Sequence, residues 1–174
     1  MIKTKLIWIT GLSAAGKTTL AKEVVKILRS RRIQVILLDG DNLRDVFGTE
    51  IVNQDNHSRE ARLSLAMKYS RLCLNLVSQG FTVVIATISL FREIHKWNRE
   101  NVPGYLEVYL RIPMEELRRR DPKGIYGRFS RGEIKNVAGL DLEIDEPENP
   151  DWIVEFDPER SSSDIAAELD KLLR

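Results

Sequence analysis

Gly11-Leu12-Ser13-Ala14-Ala15-Gly16-Lys17-Thr18 has the residue types that hold a polyphosphate, at the spacing G-x-x-x-x-G-K-[ST]. The glycines permit backbone conformations that turn successive amides inward, towards phosphate oxygens. Lys17 adds a point charge, and Thr18 adds a hydroxyl suited to Mg²⁺. A helix starting from this loop would add the positive end of its dipole. The flanks agree with this reading. Leu6–Thr10 (LIWIT) has the continuous apolar pattern of a strand buried on both faces, and Leu20, Val24, Ile27 and Leu28 then fall on one helical face. These residues predict a nucleoside triphosphate site. No N-K-x-D guanine-recognition tetrapeptide occurs, and Asp121-Pro122-Lys123-Gly124 fits only the short D-x-x-G pattern, so ATP is the expected nucleotide.

A second group, Asp39-Gly40-Asp41-Asn42-Leu43-Arg44, puts two carboxylates and an arginine just past another buried-strand pattern, Ile33–Asp39. In a parallel sheet, ligands collect at the carboxyl ends of the strands. These carboxylates therefore approach the phosphates if the second strand lies near the first. One carboxylate can hold Mg²⁺ or its water shell, and the other can accept the proton of an attacking hydroxyl. Gly40 is expected to let the backbone pass close to a ligand. The competing explanation is a turn and a helix cap, since Asp, Gly and Asn all favour turns.

Positioning these groups requires a scaffold, and the pattern for one is present. Strands are expected at Leu6–Thr10, Ile33–Asp39, Phe81–Ile88, Tyr105–Arg111 and Trp152–Phe156. Helices are expected after the phosphate loop, from Ser58 to about Ser78 with Gly80 as stop, over Phe91–Asn101 and over Met114–Arg120. A last helix, capped by Ser163, runs through Ile165, Leu169, Leu172 and Leu173. This alternation predicts an α/β fold, a parallel five-stranded sheet with helices on both faces. Residues 121–150 break the rhythm: polar, rich in Gly and Pro and without a sustained period, they have the character of a mobile lid.

Composition narrows the function. The 174 residues are 43% hydrophobic and 30% charged with a net charge of +1, which suits a single folded domain over 1–174. That balance offers no bulk field for nucleic acid or an anionic membrane. No apolar run approaches the roughly 18 residues of a membrane span, and a cytoplasmic location is expected. The single cysteine, Cys73, excludes an internal disulfide, and two separated histidines, His57 and His95, make a zinc site improbable.

GLSAAGKTT, LDGDNLR, RDPKGIYGRFSRGEIKN and DEPENP, in this order, resemble the adenylylsulfate kinase family over about residues 6–150. That resemblance implies the three-layer P-loop NTPase sandwich, ATP and Mg²⁺ as cofactors, a small nucleotide acceptor and a homodimer. The family phosphorylates the ribose 3′-hydroxyl of adenosine 5′-phosphosulfate. Carried over residue by residue, it implies that Gly11, Ser13, Ala14, Ala15, Gly16, Lys17, Thr18, Thr19 and Arg120 bind ATP. Asp41 becomes the base and Lys17 the catalytic cation, while Thr18 and Asp39 lie at the metal. Asp39, Arg44, His57, Arg62, Ile88, Ser89, Lys135 and Val137 fall on the acceptor side, with Lys135 and Val137 on the lid. Arg128, near Arg120, could also neutralise phosphate charge. A lid suits the chemistry, because excluding water protects ATP from hydrolysis.

The acceptor side departs from the family pattern F-S-x-x-D-R-x-x-N. Ser58 and Arg62 match, but His57 stands for the stacking Phe, Ala61 for Asp and Leu65 for Asn. Ile88-Ser89-Leu90 replaces I-S-P, and Val137 replaces an aromatic. A lost ring removes a base-stacking contact worth about 1–3 kcal/mol. Related kinases act on other activated nucleotides, including cytidine diphosphoramidate, so the same chemistry on that acceptor is the alternative. A nucleotide-binding switch without a small acceptor is the reading from another class. Ser89 is expected to hydrogen-bond rather than carry a phosphoryl group. His95 is expected to pack or be solvated rather than catalyse, and Cys73 and Trp8 are expected in the core.

Overall fold

Strand and helix alternate along the chain of this computed structural model, which describes residues 4–47 and 58–173. Strands β1 (Leu6–Thr10), β2 (Val35–Asp39), β3 (Thr82–Ala86), β4 (Tyr105–Arg111) and β5 (Trp152–Glu155) form one five-stranded sheet in the order β2-β3-β1-β4-β5. Every neighbouring pair is parallel. The helices are α1 (Lys17–Ser30), α2 (Gly40–Val46), α3 (Arg59–Ser78), α4 (Arg92–Asn101), α5 (Met114–Arg120), α6 (Ile125–Ser130) and α7 (Ser162–Leu172).

The continuous apolar run of β1 is explained by its two covered faces. Ile7 and Ile9 join the cluster built with α1 and α7, through Leu20, Val24, Leu28, Ala166 and Leu169. Leu6 and Trp8 point to the other face, against Ala66, Tyr69 and Cys73 of α3 and Ile94 of α4. Each large apolar side chain buried this way contributes about 1.5–3 kcal/mol relative to its exposure. Trp8 and Cys73 are core residues, as expected, and burial pushes the Cys73 thiol far above its ordinary value.

Two local expectations are corrected. The cap of α7 is Ser161 rather than Ser163: Ser161 and Asp164 form a reciprocal capping box, which starts the helix earlier. Residues 121–150 contain α6, whose Ile125, Tyr126 and Phe129 pack against the α1 cluster. A helix of six residues is too short to display a period. Gly40 also makes a close approach to the neighbouring strand. A Cβ there would stand 3.1 Å from the Ala86 carbonyl oxygen and 3.2 Å from Thr87 Oγ1. Among the described residues, no helix is long and apolar enough to cross a membrane.

Candidate active site

The loop between β1 and α1 is tightly bound into the fold. Gly11, Ala14 and Gly16 have φ of 150°, 65° and 94°. A Cβ on Gly11 would lie 2.8 Å from the Leu110 carbonyl oxygen, so the loop crosses β4 too closely for any side chain there. The Ser13 carbonyl accepts a hydrogen bond from the Tyr126 hydroxyl at 2.9 Å, which joins the loop to α6. Burial pushes that phenol up to about 12. Ala15 turns its methyl into the core and Thr19 is exposed.

Lys17 Nζ donates to the Leu12 carbonyl at 2.7 Å. Burial pushes its ammonium down to about 8, with Asp41 and Asp39 raising it and Lys123 lowering it further. At neutral pH it keeps its charge, which a phosphate at the loop would feel. Arg120 reaches the same loop. Its Nη1 lies 3.4 Å from the Ala14 carbonyl oxygen, its Nε donates to Glu116 at 2.7 Å, and its guanidinium sits 5.3 Å from the Phe156 ring centre. Arg128 pairs with Glu133 instead, at 3.6 Å.

The carboxylates meet the loop although β3 separates β2 from β1. The first turn of α1 leans across that gap, so the Thr18 hydroxyl donates to Asp39 Oδ2 at 2.6 Å. Asp39 Oδ1 accepts from the Asp41 amide at 3.0 Å and caps α2. Asp39 thus caps α2 with one oxygen and accepts from Thr18 with the other. Hard oxygens from Thr18 and Asp39 fit Mg²⁺, which needs few protein ligands when phosphates supply others.

Asp41 pairs with Lys123 and with Arg44 at 3.5 Å. Burial pushes the Asp41 carboxyl up. The Lys123 hydrogen bond and charge, with Arg44 and Lys17, outweigh burial and hold it below the ordinary carboxylate value. Lys123 was missed as a site residue from the sequence. Its one signal was position three of Asp121-Pro122-Lys123-Gly124, a pattern too short to assign.

The acceptor-side residues divide. Arg62 on α3 donates to the Asn136 carbonyl at 2.7 Å, and burial followed by the Arg44 charge lowers its guanidinium. Arg44, Arg62 and the segment carrying Lys135 therefore converge, with Lys135 exposed. Ile88 is half-buried, and the Ser89 hydroxyl is buried against Thr87 Oγ1 at 2.8 Å. Val137 is 6% exposed and packed in the α1 cluster, so its side chain offers a ligand almost no surface. Its amide donates to Asp141 instead, at 2.6 Å. His57 lies outside the described residues.

Comparison with known proteins points to one family. The family model for adenylylsulphate kinase matches residues 3–155. A probable adenylyl-sulfate kinase of Archaeoglobus fulgidus is 39% identical over 152 residues, covering 87% of this chain and 96% of that protein. A cytidine diphosphoramidate kinase of Campylobacter jejuni is 38% identical over 143 residues, covering 82% of this chain and 81% of that protein. Among solved structures, the Mycobacterium tuberculosis APS kinase bound to AMPPNP and APS superposes with a TM-score of 0.87 at 31% identity, covering 99% of both chains. The family match over most of the chain and the shared parallel-sheet fold make this chain a P-loop phosphotransferase that belongs to the adenylylsulphate kinase family.

Proposed function

We propose that the protein transfers the γ-phosphate of ATP to the ribose 3′-hydroxyl of a nucleotide activated at its 5′ end, with adenosine 5′-phosphosulfate as the first acceptor. One observation carries this reading: Thr18 and Asp39 share a hydrogen bond of 2.6 Å, while Asp41, two residues on, stands beside Lys123. A phosphate-side oxygen pair and a candidate base thus adjoin one another.

In the reaction the acceptor oxygen forms a bond to the γ-phosphorus as the bond to the β-bridging oxygen breaks, and ADP leaves. Asp41 takes the proton of the attacking hydroxyl. Lys17 and Arg120 hold the phosphates, and Arg44 and Arg62 hold the acceptor nucleotide. Thr18 and Asp39 would hold Mg²⁺, which supplies neutralisation of phosphate charge. Residues 121–150, already bonded to the loop through Tyr126, exclude water.

A second acceptor, cytidine diphosphoramidate, is favoured by two observations. Val137 is buried in the core where the family has a ring, and a relative bearing that activity in its name is 38% identical. ADP release with Mg-ATP and one acceptor at a time separates these readings. Stimulation by adenosine 5′-phosphosulfate supports the first acceptor, and stimulation by the cytidine compound alone supports the second. A rate that no acceptor changes would leave a nucleotide-binding switch.

The role of Asp41 also predicts a pH effect. Lys123 helps hold its carboxyl low, so Lys123→Ala raises that pKa. A base must be deprotonated to act, and kcat/KM falls as pH drops through its pKa. The acid limb in Lys123→Ala therefore begins at higher pH than in the parent enzyme. A profile of kcat/KM between about pH 4 and 8 reads this directly. An unmoved limb would detach Lys123 from the base.

A further inference from the structure

The turn after β3 is where four parts of the molecule meet. The Ile88 carbonyl accepts from the Thr10 hydroxyl at the end of β1. The Ser89 carbonyl accepts from the Phe91 amide at 3.0 Å and faces His95 Nε2 of α4 at 3.2 Å. The Leu90 carbonyl accepts from the Asp145 amide at 3.0 Å, near the end of the 121–150 segment. Three successive carbonyls are thus held by three separate elements. Thr87, at the start of the turn, abuts Gly40, the residue between Asp39 and Asp41. Ser89 itself has φ of 30°, a positive value that a non-glycine residue keeps only when its surroundings impose it.

His95 is 8% exposed. Besides the Ser89 carbonyl, its Nε2 lies 3.7 Å from Glu107 Oε1, and Glu107 is 2% exposed. A carbonyl and a carboxylate both accept, so Nε2 carries the hydrogen. Glu107 is fixed in turn by the Tyr105 hydroxyl at 3.0 Å and by Arg99 Nη2 at 3.3 Å. The ring therefore has one orientation, with its donor aimed at the strained residue. An apolar side chain would fill the same space without that donor.

We propose that His95 is a positioning residue: through Nε2–H it holds the Ser89 carbonyl and so fixes the turn that packs behind the Asp39–Asp41 step. Its influence reaches the acceptor side through Ser89 Oγ, Thr87 Oγ1 and Gly40, not through contact with substrate. The expected kinetic effect rests on the kinase reading above, whereas the structural role does not.

The test compares His95→Phe, which keeps a ring and loses the donor, with His95→Gln, whose amide nitrogen reaches close to the position of Nε2. In His95→Phe the KM for the acceptor rises about tenfold, the fold-change of one hydrogen bond, with KM for ATP unchanged, and His95→Gln restores it. Amide exchange at Phe91 and Asp145 accelerates in His95→Phe while the β1 amides keep their protection. If His95→Phe does not fold, His95→Asn serves, because its shorter amide cannot reach Ser89. Unchanged exchange at Phe91 and Asp145 overturns the proposal, as does an equal loss towards both substrates. If the parent enzyme responds to no acceptor, the kinase reading fails by itself, and the exchange measurement still decides the role of His95.

Discussion

Asp41→Asn lowers turnover by at least about a hundredfold, the scale on which a positioned general base contributes. The substitution keeps shape and the backbone bond from residue 41 to the Asp39 carboxylate, which caps α2. It removes only the charge and the proton-accepting capacity. Because the side chain is half-exposed, the melting temperature changes little, and ATP binding measured by calorimetry persists. Near-normal turnover would remove Asp41 from the mechanism and move the search for a base elsewhere in the cluster.

Lys17→Ala lowers kcat/KM by about a hundredfold to a thousandfold, as expected for one preorganised group facing transition-state charge. Its signature is the absence of a matching stability loss. Burial of the Lys17 ammonium is unfavourable to the folded protein, which is why its pKa falls to about 8. Removing it relieves that cost but also gives up the bond to the Leu12 carbonyl, so the two oppose each other and thermal unfolding of the nucleotide-free variant shifts little. An enzyme unaffected in kcat/KM would mean that this loop is not the phosphate site.

Local pattern carried much of the scaffold. The apolar runs at 6–10 and 105–111 and the helix start at Ser58 correspond to β1, β4 and the start of α3, which Ser58 caps, because each depends on near neighbours and a sharp period. Long-range facts were not legible. Nothing local says that β3 inserts between β2 and β1, so the nearness of Asp39 to Thr18 was a condition until the fold met it. The packing of Gly40 against Ala86 and Thr87 was equally hidden, because those residues lie far along the chain. Lys123 was passed over for the same reason, while His95 was expected to pack or be solvated and is buried. Their partners, Asp41 and Ser89, become neighbours only through tertiary structure, and neither sits in a pattern that spacing alone can score.

The segment over the phosphate loop is also part of the interior. Tyr126 and Val137 are buried in the α1 cluster, and Ala138 and Leu142 are buried close by. Any movement wide enough to free these residues would expose apolar surface, as local unfolding does. The cover proposed above is therefore also a keystone of the fold. Sequence changes that loosen this packing are expected to lower heat resistance, and a ligand that binds only the packed state is expected to raise it.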